Sequence, residues 1–165
     1  MSWSEISRRG LLAAALAVLA GCGFAPVYGP AGEAAALRGA VLATEPDTDI
    51  AFAFVRQIEE RLGLPATPRY DLEYALVTDE VALAIDGSNN ITRFNIEGRL
   101  DWTLSPVGTD APVLSGRETS FTAYSATGST ISTLESERDA QRRLAVILAN
   151  AVVARLLAEA PRLDP

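Results

Sequence analysis

A chain of 165 residues with a net charge of −7, no histidine, a single cysteine and arginine as its only basic side chain lacks the parts for most familiar catalysis. Ser-His-Asp and Cys-His nucleophile systems, Schiff bases and metal sites built on His or Cys are all excluded, and the acidic balance speaks against a nucleic-acid partner. Carboxylates remain as bases, but no GxSxG elbow or phosphate-binding glycine loop accompanies them, so neither an enzyme nor a cofactor-binding protein is expected.

Arg8-Arg9 precede an apolar run, Leu11 to Ala20, that is too short to span a bilayer and leads into Leu19-Ala20-Gly21-Cys22. This reads as a lipoprotein signal peptide over residues 1–21, removed before Cys22. The lone cysteine then lies at the cleavage point, where its thiol can carry diacylglycerol and its new amino group an N-acyl chain such as palmitate. An ordinary leader with a chance cysteine is the plain alternative. Two or more acyl chains suffice for stable anchoring. Gly23 stands where an enteric inner-membrane retention signal would have Asp, so the expected address is the periplasmic side of the outer membrane. Ser7 to Leu12 also resembles a twin-arginine export signal, although the ordinary route is the favoured reading. From Cys22 onward 144 residues remain, with 12 Arg against 20 Asp and Glu and a net charge of −8, enough for one domain.

Residues 22–37 read as a lipidated tether. Phe24 and Tyr28, set among Gly and Pro, are candidate contacts for a partner or for lipid headgroups, with a plain linker as the alternative. The single domain spans 38–165. Arg38 to Thr44 is expected as a short strand, and Asp49 as the cap of a helix over Ile50 to Leu62. That helix places Ala51, Phe54, Val55, Ile58 and Leu62 on one face and ends at Gly63.

Arg69 to Ile85 reads as a strand whose apolar parity changes, from Tyr70, Leu72, Tyr74 and Leu76 to Val81, Leu83 and Ile85, and a bulge near Thr78-Asp79 is the expected cause. The turn Asp86 to Asn90 joins it to Ile91 to Leu104, where Phe94, Ile96, Gly98, Leu100, Trp102 and Leu104 alternate with Arg93, Asn95, Glu97, Arg99, Asp101 and Thr103. One face of this strand is buried, with Trp102 beneath a helix, and the other is polar. Val113 to Ser125 forms a fourth strand of undecided register. Ser132-Thr133-Leu134-Glu135 has capping-box spacing at the head of a long helix, a start a few residues earlier being the alternative. Its stripe is Ala140, Leu144, Ile147, Leu148, Ala151, Val152 and Leu156, with Asp139 and Arg143 paired outside it and Pro161 at its end. The order predicts an α+β two-layer sandwich: strand, helix, three antiparallel strands, helix, with both helices on one face of a four-stranded sheet and the other face polar and open.

The chain resembles the alphaproteobacterial form of the lipopolysaccharide-assembly lipoproteins called LptE. Three features carry the resemblance: Gly21 to Gly29, close to GCGFxPLYG with Val27 replacing Leu; the element order; and Ala123-Tyr124-Ser125 leading into Leu134 to Ala140. It implies a non-enzymatic lipoprotein that plugs a large outer-membrane β-barrel, the LptD partner, and helps place lipopolysaccharide in the outer leaflet. A general outer-membrane assembly accessory binding another barrel or an envelope polymer is the alternative, and a carboxylate-based glycan hydrolase resting on Glu97 and Asp101 is a further rival.

Phosphate groups of lipopolysaccharide would be met by Arg alone. Arg93 and Arg99, on the polar face of the third strand, and Arg117, of undecided parity, are the candidates. Their structural alternative is cross-strand pairing with acids such as Glu73 or Glu118. The tip Asp86 to Asn90 is either a barrel contact or a solvent turn.

Overall fold

The computed structural model of the chain describes residues 33–85, 87 and 90–163. The expected leader, Cys22, Phe24 and Tyr28 lie outside these residues, as do Asp86, Ser88 and Asn89 of the hairpin tip. A 3-10 turn, Glu33–Leu37, leads into β1 (Val41–Ala43), α1 (Asp49–Leu62), β2 (Tyr70–Ile85), β3 (Ile91–Pro106), β4 (Leu114–Ser125) and α2 (Thr130–Glu159), and a second 3-10 turn, Ala160–Arg162, follows. The sheet order is β1-β2-β3-β4. β1 runs parallel to β2, and the other pairs are antiparallel. Both helices pack on one face, the α+β sandwich expected. Packing begins at Leu37, the last residue of the segment read as tether, which is buried in the core.

α1 buries the five expected side chains, Ala51, Phe54, Val55, Ile58 and Leu62, because they recur at the helical period. Its cap is Thr48 and not Asp49. Thr48 is the last extended residue (φ −136°, ψ 159°), and its hydroxyl accepts from the Ala51 N–H at 3.3 Å. Gly63 ends the helix at φ 87°, donating its N–H to Glu59 at 2.8 Å. The expected first strand shrinks from seven residues to three, Val41–Ala43.

The helix-facing side of the sheet carries the even positions of β2, β3 and β4: Leu72 opposes Leu104, Tyr74 opposes Trp102, and Ile96 lies between Glu80 and Thr122. Trp102 is 2% exposed, beneath the helices as its parity required. Gly116 lets β4 approach its indole. A Cβ there would lie 2.7 Å from the ring. Gly98 likewise admits α2, since a Cβ would fall 2.9 Å from Leu144 Cδ2. The expected bulge at Thr78-Asp79 is absent. Pairing with β3 is unbroken from Tyr70 to Ala82, and the register shifts lie between Ala82 and Ile85, next to the turn.

α2 begins three residues before the expected box, capped by Ser129, whose hydroxyl accepts from the Ser132 N–H at 3.3 Å. Its buried set is Ala140, Leu144, Ala145, Leu148, Ala149, Val152, Val153 and Leu156. Ile147, expected in the stripe, is 44% exposed, because the buried arc faces both the sheet and α1 and so turns away from position 147. The segment Thr130–Arg162 is long and apolar enough to cross a membrane, yet this stripe is core packing. Gln57 donates to Asn150 between the helices at 3.2 Å, and the buried Thr122 hydroxyl donates to the Ala140 carbonyl at 2.8 Å, so β4, α1 and α2 are joined by directional bonds as well as apolar contact.

Candidate functional site

Strand alternation turns the odd positions of β2, β3 and β4 away from the helices and builds an open face three side-chain columns wide. Its central column is Arg93, Asn95, Glu97, Arg99, Asp101 and Thr103, as the alternation of β3 required. β4 falls into register with Asp101 opposite Arg117 and Arg99 opposite Thr119, which settles the parity of Arg117. All three candidate arginines therefore share this face.

Two of the three converge. Arg117 Nε donates to Asp101 Oδ1 at 2.5 Å, and Arg99 Nε lies 3.6 Å from Asp101 Oδ2. The hydrogen bond to Asp101 and the charge of its carboxylate raise the pKa of the Arg117 guanidinium further. Asp101 is thus the common counter-ion, not Glu73 or Glu118. Glu118 belongs to the helix-side parity of β4 and cannot reach across the sheet. Arg93 stands apart toward the hairpin tip, opposite Ser125, and has no ion-pair partner among the described residues.

Open depressions follow one another along this face. One is bordered by Glu73, Ala75, Asp101, Thr103, Ser115 and Arg117, and the next, toward the tip, by Asp79, Glu97, Arg99, Thr119 and Phe121. Their chemistry suits binding through hydroxyls, carboxylates and guanidinium groups. Among the described residues no group of three or more His, Cys, Asp or Glu is placed to hold a metal ion.

The face is not uniformly polar, which corrects the expectation. Val77, Val81 and Leu83 form an apolar column along β2, 46%, 41% and 52% exposed, and Phe121 on β4 is 64% exposed. The sequence signal for this column is the parity change in β2. It marks apolar side chains crossing to the open face, not an inserted residue. On the helix layer a separate groove of about 430 Å³ lies between α1 and α2, bordered by Phe52, Ala53, Arg56, Gln57, Arg142 and Val146. Its arginines are paired within their own helices, Arg56 with Glu60 and Arg142 with Asp139.

No family model matches the chain, and no curated protein matches it by sequence. Solved structures do match. The structure named "a putative lipoprotein" from Caulobacter crescentus CB15 superposes with a TM-score of 0.65 at 15% identity, over 78% of this chain and 96% of that one. A minor lipoprotein from Acinetobacter baumannii gives 0.55 at 12% identity, over 76% of this chain and 95% of that one. The rare lipoprotein B from Shewanella oneidensis also gives 0.55, at 8% identity, over 74% and 95%. At these identities the likeness is one of fold: the two-layer sandwich is shared with these three proteins over about three quarters of the chain.

Proposed function

We propose that this chain is an outer-membrane lipoprotein, acylated on Cys22 and held on the periplasmic side, that partners and plugs a large LptD-like β-barrel and so assists lipopolysaccharide assembly. The observation that carries the proposal is a coincidence of two kinds of information. The fold is shared with proteins that are each named a lipoprotein, and Cys22, the only cysteine of the sequence, ends an apolar leader in the position of an acylation site. Two acyl chains keep such a domain at the membrane. The role is one of binding, without chemistry: the open face offers Arg93, which has no ion-pair partner among the described residues, Arg99 and Arg117 around Asp101, and hydroxyls between them, donors that suit phosphates and sugars in a wet barrel lumen.

Purification through a C-terminal tag after gentle solubilisation of the outer membrane tests this reading. Recovery of the lipopolysaccharide-translocating barrel in fixed proportion is the expected result. Recovery of a different barrel, or of the protein alone, would replace the plug with a general assembly accessory.

A further inference from the structure

β1 covers only the first three residues of β2, pairing Val41–Ala43 with Tyr70–Leu72. Tyr70 donates its N–H to the Ala40 carbonyl at 3.0 Å, and the Leu72 carbonyl accepts from the Thr44 N–H at 2.9 Å, so the even residues of β2 turn their main-chain groups toward this side. By strand alternation Tyr74, Leu76, Thr78 and Glu80 do the same. Among the described residues no strand meets them, and β2 carries a bare edge from Glu73 to Ala82, where the regular register ends.

The side chains beside that edge on the open face are Ala75, Val77, Asp79 and Val81, apolar groups around one carboxylate. Asp79 stands directly opposite Glu97 in the β2–β3 register, and neither has an ion-pair partner among the described residues. Like charges opposed on a sheet are destabilising, and a cation brought in from beyond the edge relieves them. The neighbouring Glu80 is occupied, accepting from the Tyr124 hydroxyl at 2.9 Å on the helix side.

We infer that this edge is a strand-addition site for an extended segment of a partner protein whose side chains read apolar, basic, apolar opposite Val77, Asp79 and Val81. The free N–H and C=O row supplies affinity, and the alternate side chains supply selectivity. A second copy of this chain fits poorly. Antiparallel two-fold pairing about Asp79 sets that carboxylate against itself, and the adjacent two-fold registers set it against Val77 or Val81, which bring no cation. The inference does not depend on acylation or on which barrel the protein follows.

The test is amide hydrogen exchange on the full chain in detergent, with a capped probe peptide, Thr-Val-Thr-Arg-Thr-Val-Thr, and its counterpart carrying Glu for Arg. The Arg peptide is expected to slow exchange at Leu76, Thr78 and Glu80 by about tenfold or more, the Glu peptide to leave those amides unchanged, and Asp79→Arg to reverse the preference. Asp79 is exposed and faces Glu97, so that variant is expected to stay folded, which its circular dichroism checks. Equal effects of both peptides, protection confined to β4 or the helices, no protection at all, or protection that rises with protein concentration alone would each overturn the inference.

Discussion

Tyr124 joins three strands at the tip end of the sheet. Its ring stacks on Phe94 of β3 at 5.3 Å, and its hydroxyl donates to Glu80 of β2. Burial first, then the hydrogen bond to Glu80, raises its pKa well above that of an ordinary phenol. A phenol titrates near pH 10 when unfolded, so the folded state favours the neutral form. This stabilisation is fully present below about pH 10 and is lost as pH rises toward the folded value. Tyr124→Phe is expected to cost about 1 kcal/mol near neutrality and to flatten the decline in stability above about pH 10, both read from urea midpoints across pH. The burial of Trp102 was legible from parity alone, whereas the convergence of Arg99 and Arg117 on Asp101 was not. Arg117 and Asp101 are 16 positions apart, and only the β3–β4 register places them side by side.

Elements were easier to find in the sequence than their ends. α1 showed its buried face because five apolar residues obey one helical period, but Thr48 and Asp49 are both good caps. Where the backbone leaves the extended region decides between them. Thr48→Ala is therefore expected to cost about 1 kcal/mol irrespective of salt. Asp49→Asn, which removes only a charge at the helix start, is expected to cost about 0.3 kcal/mol, screened away at high ionic strength. Denaturation at two salt concentrations separates the two. In α2, the exposure of Ile147 follows from packing against two neighbours at once, which a stripe drawn for one surface does not describe. In β2, a change of parity has two readings until the pairing with β3 is in view, because an inserted residue would keep the later apolar side chains on the helix-facing side whereas an unbroken strand carries them to the open face.

At the scale of the molecule, the described core runs from Leu37 to Ala160 and closes the sandwich among the described residues. Cys22→Ala is accordingly expected to move the protein from the membrane to the soluble fraction on fractionation while leaving its circular dichroism and melting temperature unchanged. Unfolding of that variant would contradict the separation of anchor from domain. Residue chemistry and hydrophobic period alone determined which catalytic side chains the sequence lacks, the element order and the two-layer class, since each is a local property of the chain, and acylation at Cys22 is an expectation of the same local kind. Only the tertiary structure decided which side chains meet on the open face, where apolar groups break its polarity, and which stretch of β2 remains unpaired. Those depend on strand register and on how far a three-residue β1 reaches along a sixteen-residue β2, and both arise between segments distant in the chain.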